Sequence, residues 1–239
     1  MKRVLVVGGA NGIGLSIATQ ISKRKDIEKI YIVDKVPLAD EYYNEKFKCY
    51  QFDLTQSDYS LFDQFSDIDT LMITAGFGRL QLFKDSDENM IMNSFNVNTI
   101  PAMRIIKRFY NKLEKDDNFY CGVMVSIAGF MSSPFFSIYA ATKACQNMLG
   151  KIYADAYGLD VIMVRAFNHI GPNQLPMFVV ADFCKQVADI EKGIQPPVIK
   201  VGNLSAKRDF TDVRDVVKAY ALLVKNGRRG ETYNVGTGN

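Results

Sequence analysis

Metal ligands and candidates for disulfide bonds are scarce in this chain of 239 residues. His169 is the only histidine, and the four cysteines show no C-x-x-C spacing. A zinc site needs about four ligands of the His, Cys or carboxylate type close together, so no metal site is expected. Unpaired thiols are typical of a reducing compartment, and we therefore expect a cytoplasmic protein.

Long apolar runs and a strong charge excess are also missing. No segment reaches the ~20 consecutive apolar residues of a membrane-spanning helix, and the apolar run at residues 4–7 is too short for a signal peptide. The formal net charge of +3 is too small to indicate a nucleic-acid surface. We expect neither a membrane nor a nucleic acid among the partners.

The composition that remains is that of an ordinary globular protein, with 48% hydrophobic and 23% charged residues. A chain of 239 residues is long enough to bury a sizeable core. Its length is most simply that of a single domain, so residues 1–239 are predicted to form one unit.

Short apolar runs alternate with longer amphipathic segments along the chain. A run without a polar face, such as residues 3–7, is typical of a strand buried on both sides of a parallel sheet. Strands are predicted at residues 3–7, 29–34, 48–54, 70–76, 120–129, 160–167 and 231–238, and helices at 15–24, 96–113, 139–158, 179–193 and 212–226. This alternation predicts an α/β fold, a doubly wound parallel sheet of about seven strands of the Rossmann type.

Residues 171–206 interrupt the alternation. Four prolines surround one helical segment there, and proline-rich stretches are typical of loops. We expect this part to form a short irregular lid over the site, with a reduced substrate cap. Gly158 and Asp212 are predicted to cap the helices on either side of it.

Gly8, Gly12 and Gly14 lie between the first predicted strand and the first predicted helix, in the stretch VVGGANGIG. Without side chains the backbone approaches a phosphate closely. The start of a helix adds N–H groups and a partial positive charge. In this strand–loop–helix context the glycines predict a site for the phosphates of a dinucleotide.

Asp34 ends the second predicted strand, twenty residues after Gly14. A carboxylate at this place accepts hydrogen bonds from both ribose hydroxyls and repels a 2′-phosphate, which favours NAD. Lys35 follows directly and leaves NADP as the alternative cofactor.

Tyr139 and Lys143 lie one turn apart on a predicted helix and share a face. Ser126 ends the fifth predicted strand, thirteen residues before Tyr139. Ligands of such sheets bind outside the carboxyl ends of the strands, so the three residues are expected to converge. Reducing a carbonyl develops negative charge on its oxygen, which an acid must protonate. We expect Tyr139 to be that acid, with its ordinary pKa of ~10 lowered by the Lys143 ammonium, and Ser126 to hold the carbonyl oxygen.

These motifs together resemble the short-chain dehydrogenase/reductase (SDR) superfamily. The spacing G-x-x-x-G-x-G, the TAG stretch at 74–76, NVNT at 96–99 and YAATKA at 139–144 are similar to its compact, single-domain branch. The resemblance implies that Asn98 joins the catalytic group and helps to place a water in the proton relay. It also implies contacts with the cofactor for Gly8, Asn11, Gly12, Ile13, Gly14, Asp34, Asp53, Leu54, Ala75, Gly76, Tyr139 and Lys143.

The second half, residues 152–239, instead resembles the extended SDR branch, the NAD-dependent epimerase/dehydratase family that acts on nucleotide sugars. Segments 157–174, 178–193 and 198–223 are similar to GDP-4-keto-6-deoxy-D-mannose reductases and GDP-mannose 4,6-dehydratases. The resemblance implies contacts with the sugar nucleotide for Asn168, Lys185 and Arg208.

The residue types suit a diphosphate ligand. The amide of Asn168 can donate to a phosphate oxygen, and Arg208 offers a planar fork of donors. The alternative for Arg208 is a surface ion pair with Asp209 or Asp212. His169 is expected to pack or to contact backbone near the nicotinamide, because Tyr139 already fills the proton-transfer role.

The predicted function is an NAD(P)(H)-dependent oxidoreductase that reduces a 4-keto group on a GDP-linked sugar. A dehydratase also needs an acid–base pair after the fifth strand, and the stretch SIAGFMSS at 126–133 contains no carboxylate, so reductase is preferred. Two alternatives stay open. One is a compact SDR enzyme acting on a small carbonyl or alcohol, and the other is a non-catalytic or engineered NAD-binding scaffold.

Two further expectations come from the resemblance. Enzymes of the extended branch continue beyond the last predicted strand, whereas this chain stops at Asn239, so a trimmed member, a natural recombinant and a chimera of two halves all stay open. Helices at 98–115 and 139–157 correspond to the usual SDR dimer surface, which implies a homodimer.

Overall fold

A computed structural model of the protein describes residues 1–79, 81–116, 118–131, 134–172 and 174–238. The strands are β1 Arg3–Val7, β2 Lys29–Asp34, β3 Phe47–Gln51, β4 Thr70–Ile73, β5 Tyr120–Ser126, β6 Val161–Ala166, β7 Asn168–Ile170, β8 Phe210–Asp212 and β9 Thr232–Val235. The α-helices are α1 Gly12–Ser22, α2 Glu88–Asn98, α3 Ile100–Arg108, α4 Tyr110–Lys115, α5 Ser137–Tyr157, α6 Val179–Glu191 and α7 Val213–Asn226. Short 3-10 turns lie at Asp40–Tyr42, Ser60–Gln64, Phe83–Asp85 and Ile127–Phe130.

Seven strands form one sheet in the order β3-β2-β1-β4-β5-β6-β9, and every pair in it is parallel. The order reverses beside β1, between β2 and β4, as in doubly wound folds. The predicted parallel sheet of about seven strands is therefore confirmed. The carboxyl ends of β1, β4 and β5 lie side by side and face the same edge.

Alternate residues of each central strand enter two separate apolar cores. Leu5 and Val7 of β1 pack with α3 on one face, and Val4 and Val6 pack with α1 and α7 on the other. All four side chains are fully buried. Burial of a Val or Leu side chain stabilises a fold by roughly 1.5–3 kcal/mol, so a continuous apolar run holds both layers of helices on the sheet.

The helix predicted at 96–113 is three helices in the structure. α2 ends at Asn98, and α3 begins at Ile100 with Pro101 in its first turn, where the missing N–H of proline costs no hydrogen bond. α3 ends at Arg108, and its C-cap residue Phe109 has a φ of −95° and a ψ of 8°, which leave the helical range. The hydrophobic period continues through these breaks, and for this reason the sequence pattern did not reveal them.

A second, two-stranded sheet was not predicted. β7 pairs in parallel with β8, so that Asn168 lies opposite Phe210. The segment between these strands carries α6 but holds no buried residue among those described from 167 to 212. The segment predicted as a lid therefore lies outside both cores. Asn173, within it, is outside the described residues.

The caps predicted for the flanking helices are confirmed. Gly158 ends α5 with a φ of 67°, and the Asp212 side chain accepts a hydrogen bond from the Arg214 N–H at the start of α7. In the described part of the chain, no helix is long and apolar enough to span a membrane. The same described residues hold no group of three or more His, Cys, Asp or Glu side chains with the geometry of a metal site.

Candidate active site

The turn from β1 into α1 is built so that only glycine fits its three key positions. Gly8 has a φ of 84°, and a Cβ there would lie 2.6 Å from the Ala75 backbone. A Cβ on Gly14 would lie well inside contact distance of the Gly8 carbonyl. A Cβ on Gly12 would meet nothing within 4 Å, although its φ is 54°. Gly8 and Gly14 thus close the turn, and Gly12 borders open space.

The start of α1 has the features of an anion site. Asn11 is the N-cap residue, and its side chain makes no capping hydrogen bond. The first turn contains no acidic residue that would offset the positive end of the helix. Ile13 is buried in the core, so its predicted contact with a cofactor falls to its backbone. The residues present fit the pyrophosphate of a dinucleotide.

Asp34 binds the glycine turn. Its carboxylate accepts hydrogen bonds from the N–H of Ala10 at 2.9 Å and of Val36 at 3.2 Å. These two bonds leave lone pairs on both oxygens, because a carboxylate has about four acceptor sites. Asp34 therefore lies beside the turn, where ribose hydroxyls of a dinucleotide would reach it.

Asp53 is held by its own loop. Its Oδ1 accepts hydrogen bonds from Thr55 N at 2.9 Å and Thr55 Oγ1 at 2.8 Å, and its Oδ2 forms an ion pair with Lys35 Nζ at 3.0 Å. These bonds lower the pKa of Asp53 to about 2, with the Thr55 N–H as the largest cause. The next residue, Leu54, packs against the core.

Lys143 is the most deeply buried cation of the site, with 1% of its surface exposed. Burial lowers its pKa to about 8, because the charged form loses its hydration. Its Nζ donates to the Met124 carbonyl at 3.2 Å and lies 5.7 Å from the centre of the Tyr139 ring. The ammonium is thus fixed next to the phenol, as the spacing on one helix predicts.

Tyr139 differs from expectation in its acidity. Burial raises the pKa of the phenol above its ordinary value, and a hydrogen bond with Ser126 opposes that rise. The sequence predicts a lowering by Lys143, but Lys143 contributes no resolved part of the shift. The physical reason is that the charged phenolate loses its hydration in the buried site, and the hydrogen bond with Ser126 offsets only part of that loss. The phenol therefore keeps its proton near neutral pH and is a weaker acid than an exposed tyrosine.

Asn98, the last residue of α2, is 1% exposed and bonds two separate parts of the site. Its Oδ1 accepts from Phe77 N at 2.8 Å, and its Nδ2 donates to Phe77 O at 2.9 Å and to Thr142 Oγ1 at 3.0 Å. It therefore joins the loop after β4 to helix α5. Thr142 was missed by the sequence reasoning, although it lies next to Lys143 and three residues after Tyr139. The role of Asn98 in placing a water stays a prediction.

The loop after β4 packs directly on these side chains. A Cβ on Gly76 would lie 3.2 Å from both Asn98 Oδ1 and Lys143 Nζ, and a Cβ on Gly78 would lie 3.2 Å from the Tyr139 ring. The Ala75 N–H donates to Val7 O at 3.0 Å, which ties the loop to the end of β1. The structure therefore brings together the predicted catalytic residues and the glycine turn.

Thr74 belongs to the TAG stretch, but the sequence predicted no partner for its hydroxyl. Its Oγ1 lies 2.9 Å from Val7 O and 3.2 Å from Gly8 O, so it ties the end of β4 to the glycine turn. The motif TAG was matched by position alone, and only the packing of β4 against β1 assigns the hydroxyl a partner.

Asn168 and Arg208 are both placed by the two-stranded sheet. Asn168 Nδ2 donates to Asp209 O at 3.4 Å, and Arg208 precedes that residue. Arg208 Nη1 donates to Lys207 O, and Arg208 takes part in none of the ion pairs among the described residues. The alternative of a surface ion pair with Asp209 or Asp212 is therefore not seen. Asp212 is paired with Arg214 instead.

Asp209 fastens this region to the end of β9, which sequence reasoning missed. Its carboxylate accepts hydrogen bonds from Thr237 N at 3.1 Å, Thr237 Oγ1 at 2.9 Å and Gly238 N at 3.1 Å. These bonds hold the pKa of Asp209 below its ordinary value, the Thr237 N–H being the largest cause. The Asp209 carboxylate thus ties the segment that carries Arg208 to the residues after β9.

Lys185 and His169 each have a partner within their own region. Lys185 on α6 forms an ion pair with Asp189, one turn along the same helix. His169 lies on β7, where its Nδ1 is 3.2 Å from Phe167 O, and burial lowers its pKa. His169 thus makes a backbone contact, and its place near the nicotinamide stays a prediction. The contact of Lys185 with substrate stays a prediction.

Comparison with known families agrees with the division into two halves. The pattern of the short chain dehydrogenase family matches residues 2–172, most of the chain. The chain belongs to the short chain dehydrogenase family. The pattern described as NAD dependent epimerase/dehydratase family matches residues 125–236. The two matches overlap from 125 to 172, a segment that holds Ser126, Tyr139 and Lys143.

The chain is similar over part of its length to a reductase. It is 39% identical over 100 residues to GDP-6-deoxy-D-mannose reductase of Pseudomonas aeruginosa, covering 42% of this chain and 33% of that protein. It is 23% identical over 261 residues to dTDP-D-glucose 4,6-dehydratase of Dictyostelium discoideum, covering 99% of this chain and 58% of the relative. The chain thus spans well under two thirds of the length of these curated relatives.

Among solved structures of this fold, one contains NADPH and another contains NAD. The structure of RMD from Pseudomonas aeruginosa complexed with NADPH superposes with a TM-score of 0.76 at 23% identity, covering all of this chain and 79% of that one. The dTDP-glucose 4,6-dehydratase from Bacillus anthracis in complex with NAD gives 0.79 at 18% identity, covering all of this chain and 76% of that one. Identities this low show the fold alone.

Proposed function

We propose that the chain is an NAD(P)(H)-dependent oxidoreductase that reduces a carbonyl group. One observation carries the proposal: Tyr139, Lys143 and Asn98 pack around the loop at Gly76 and Gly78, which is bonded to the glycine turn. A proton donor and a dinucleotide site then share one edge of the sheet, as hydride transfer requires.

Each residue of the group has a role in this reaction. When bound, the dinucleotide supplies the hydride that the carbonyl carbon accepts. The phenol of Tyr139 gives its proton to the oxygen that becomes negative. The Ser126 hydroxyl holds that oxygen beside the phenol, and the Lys143 ammonium, held by Met124 O, stabilises the phenolate that is left.

The cofactor fits the chain's own residues. Backbone groups of Gly12 and Ile13 at the start of α1 would bind the pyrophosphate, and Asp34 would accept from the ribose. Asp53, Leu54, Ala75 and Gly76 line the edge of the sheet beyond them.

The proposed substrate is a 4-keto sugar linked to GDP. Asn168 begins β7 and donates to the carbonyl of Asp209, the residue after Arg208. An amide and a guanidinium near this sheet are suited to a diphosphate. The relative from Pseudomonas aeruginosa, which matches 42% of this chain, is named for a GDP-linked deoxy sugar. The stretch from Ser126 to Tyr139 contains no Asp or Glu. This favours reduction over dehydration, which needs a carboxylate there.

We further propose that residues 171–206 act as the lid of a single domain. The segment lies outside both cores, and its helix α6 carries Lys185 on the exposed side. A cytoplasmic homodimer is proposed as well, because the four cysteines are free and α5 exposes Met148 and Ile152.

A second candidate function is the reduction of a small apolar carbonyl compound. Two loops flank Tyr139, and a backbone hydrogen bond from Gln81 N to Phe135 O joins them. They expose Phe83, Phe130 and Phe135, each with half or more of its surface. Exposed aromatic side chains next to a reaction centre favour an apolar substrate.

The test compares both substrates on the full chain with NADH and NADPH. Oxidation of the reduced cofactor is followed with a GDP-linked 4-keto-6-deoxy sugar and with an aromatic ketone. We expect turnover of the GDP-sugar, a loss of at least a hundredfold in kcat with Tyr139→Phe, and a raised KM with Arg208→Ala.

The outcomes separate the candidates. Activity on the ketone alone, unaffected by Arg208→Ala, would favour the second function. Tight binding of a dinucleotide without turnover of either compound would instead leave a non-catalytic scaffold.

A further inference from the structure

The cofactor site contains an ion pair that no motif predicts. Lys35 follows Asp34 at the end of β2, and Asp53 follows the end of β3. The two strands pair in parallel with Asp34 opposite Gln51, so their carboxyl ends are adjacent. The Lys35 ammonium crosses this gap to Asp53 Oδ2 at 3.0 Å.

The two partners are not equally fixed. Thr55 holds the Asp53 carboxylate with two hydrogen bonds, and 29% of the Asp53 side chain is exposed. The Lys35 side chain is 72% exposed, although Gln51 Nε2 donates to its backbone carbonyl at 3.0 Å. Asp53 is therefore a fixed acceptor, and the lysine side chain is the part that turns towards it.

This arrangement affects the charge that a dinucleotide meets. Asp34 lies where the ribose hydroxyls are proposed to bind, and Lys35 is the nearest cation in sequence. A free ammonium there would attract a 2′-phosphate, which carries about −2 charge near neutral pH. While it is paired with Asp53, the lysine is turned towards that carboxylate, and the proposed ribose site keeps the negative charge of Asp34.

We propose that Asp53 is a specificity-determining residue, which keeps Lys35 from a 2′-phosphate and so selects NAD(H) over NADP(H). The inference rests on the proposed function, because it assumes that this edge of the sheet binds a dinucleotide. The inference goes beyond the proposed function because it assigns the choice of cofactor to the ion pair of Lys35 with Asp53 and not to Asp34 alone.

The test is calorimetric titration of the full chain with NADH and with NADPH. Asp53→Asn keeps the shape of the side chain, removes its charge and releases Lys35. We expect the ratio of NADPH affinity to NADH affinity to rise roughly tenfold in this variant relative to the parent. A cooperative urea unfolding curve with the m-value of the parent shows that the variant is folded.

A second variant isolates the lysine. Lys35→Gln alone is expected to change neither affinity by more than about threefold, because the lysine is already engaged. In the Asp53→Asn background the same substitution should remove the whole gain in NADPH affinity. The matched control is Asp155→Asn. It breaks a surface ion pair between Lys151 Nζ and Asp155 Oδ2, which are 3.0 Å apart on α5, and it should change neither dinucleotide affinity.

The results separate the role of the ion pair from the existence of the dinucleotide site. An unchanged ratio of NADPH to NADH affinity in Asp53→Asn overturns the role of the ion pair while the dinucleotide site stands. A gain that persists after Lys35→Gln overturns it too, since simple removal of negative charge would then suffice. Failure of the parent chain to bind either dinucleotide overturns the proposed function together with this inference.

Discussion

Lys143 holds a positive charge where almost no water reaches it. One backbone carbonyl, Met124 O, accepts from its Nζ, and the lysine is the largest charged side chain that is fully buried. Such a placement favours chemistry on Tyr139 and opposes stability, which is a common feature of catalytic residues.

The first prediction is that Lys143→Met stabilises the protein at pH 7. A pKa of about 8 in the folded state against 10.5 ordinarily means that the buried charge costs about 3 kcal/mol of unfolding free energy at neutral pH. Removing the charge should raise the unfolding free energy by that amount, but the variant also loses the hydrogen bond to Met124 O, which lowers it by about 1 kcal/mol. We expect a net gain of about 2 kcal/mol, measured by urea unfolding.

The pH dependence of stability is a separate test of whether Lys143→Met stabilises the protein. Between pH 8 and 10.5 the unfolded chain keeps the Lys143 proton and the folded chain loses it, so the parent gains stability as pH rises. The advantage of Lys143→Met should therefore be complete below pH 8 and fade towards pH 10.5. A variant less stable than the parent at pH 7 would contradict the burial of a charged lysine.

At the scale of elements, the join between β1 and α1 depends on close approach of backbone. The helix begins directly over the end of the strand, and a side chain at Gly14 has no room between Gly8 O and Thr74 Oγ1. Gly12 differs, because only its left-handed conformation asks for glycine.

The second prediction compares alanine at these two positions. Gly14→Ala should lower the unfolding free energy by about 3 kcal/mol or more, because the Cβ would overlap backbone that cannot move without parting α1 from β1. Gly12→Ala should cost only about 1–2 kcal/mol, the strain of a left-handed residue. Thermal and urea unfolding of both variants would measure this. A larger cost at Gly12 than at Gly14 would show that the turn is not packed in this way.

At the scale of the whole molecule, the chain divides into a double-layered core and a segment that contributes nothing to it. The sheet is covered by α1 and α7 on one face and by α3 and α5 on the other. The described residues from 167 to 212 include no buried side chain. Segments with few buried contacts open at a small free-energy cost compared with the core.

The third prediction is that limited trypsin digestion cuts this segment first. Lys185, Lys192, Lys200 and Arg208 offer sites there, and opening should expose them without unfolding the sheet. Lys151 on α5 serves as the internal control, because its side chain is 51% exposed against 57% for Lys185 while α5 packs on the sheet. Mass spectrometry of the early fragments identifies the first cleavage site. A first cut at Lys151 would contradict the division of the chain into a stable core and a less stable segment.

The sequence by itself determined the main sheet and much of the site. A strand buried on both faces must be apolar throughout, so its position can be read from local composition, and β1 and β2 begin and end where predicted. The glycine turn, Asp34 and the Tyr139–Lys143 pair are close along the chain or follow neighbouring strands. Their convergence follows from the rule that parallel strands present their carboxyl ends at one edge.

Only the tertiary structure decided the features that depend on contacts distant in sequence. The pairing of β7 with β8, the hydrogen bonds of Asp209 to Thr237 and the ion pair of Lys35 with Asp53 join residues that no local pattern relates. The raised pKa of Tyr139 belongs here as well. Spacing on a helix reports which groups are neighbours, but acidity depends on how much water the surrounding elements exclude, and that is fixed only when the chain has packed.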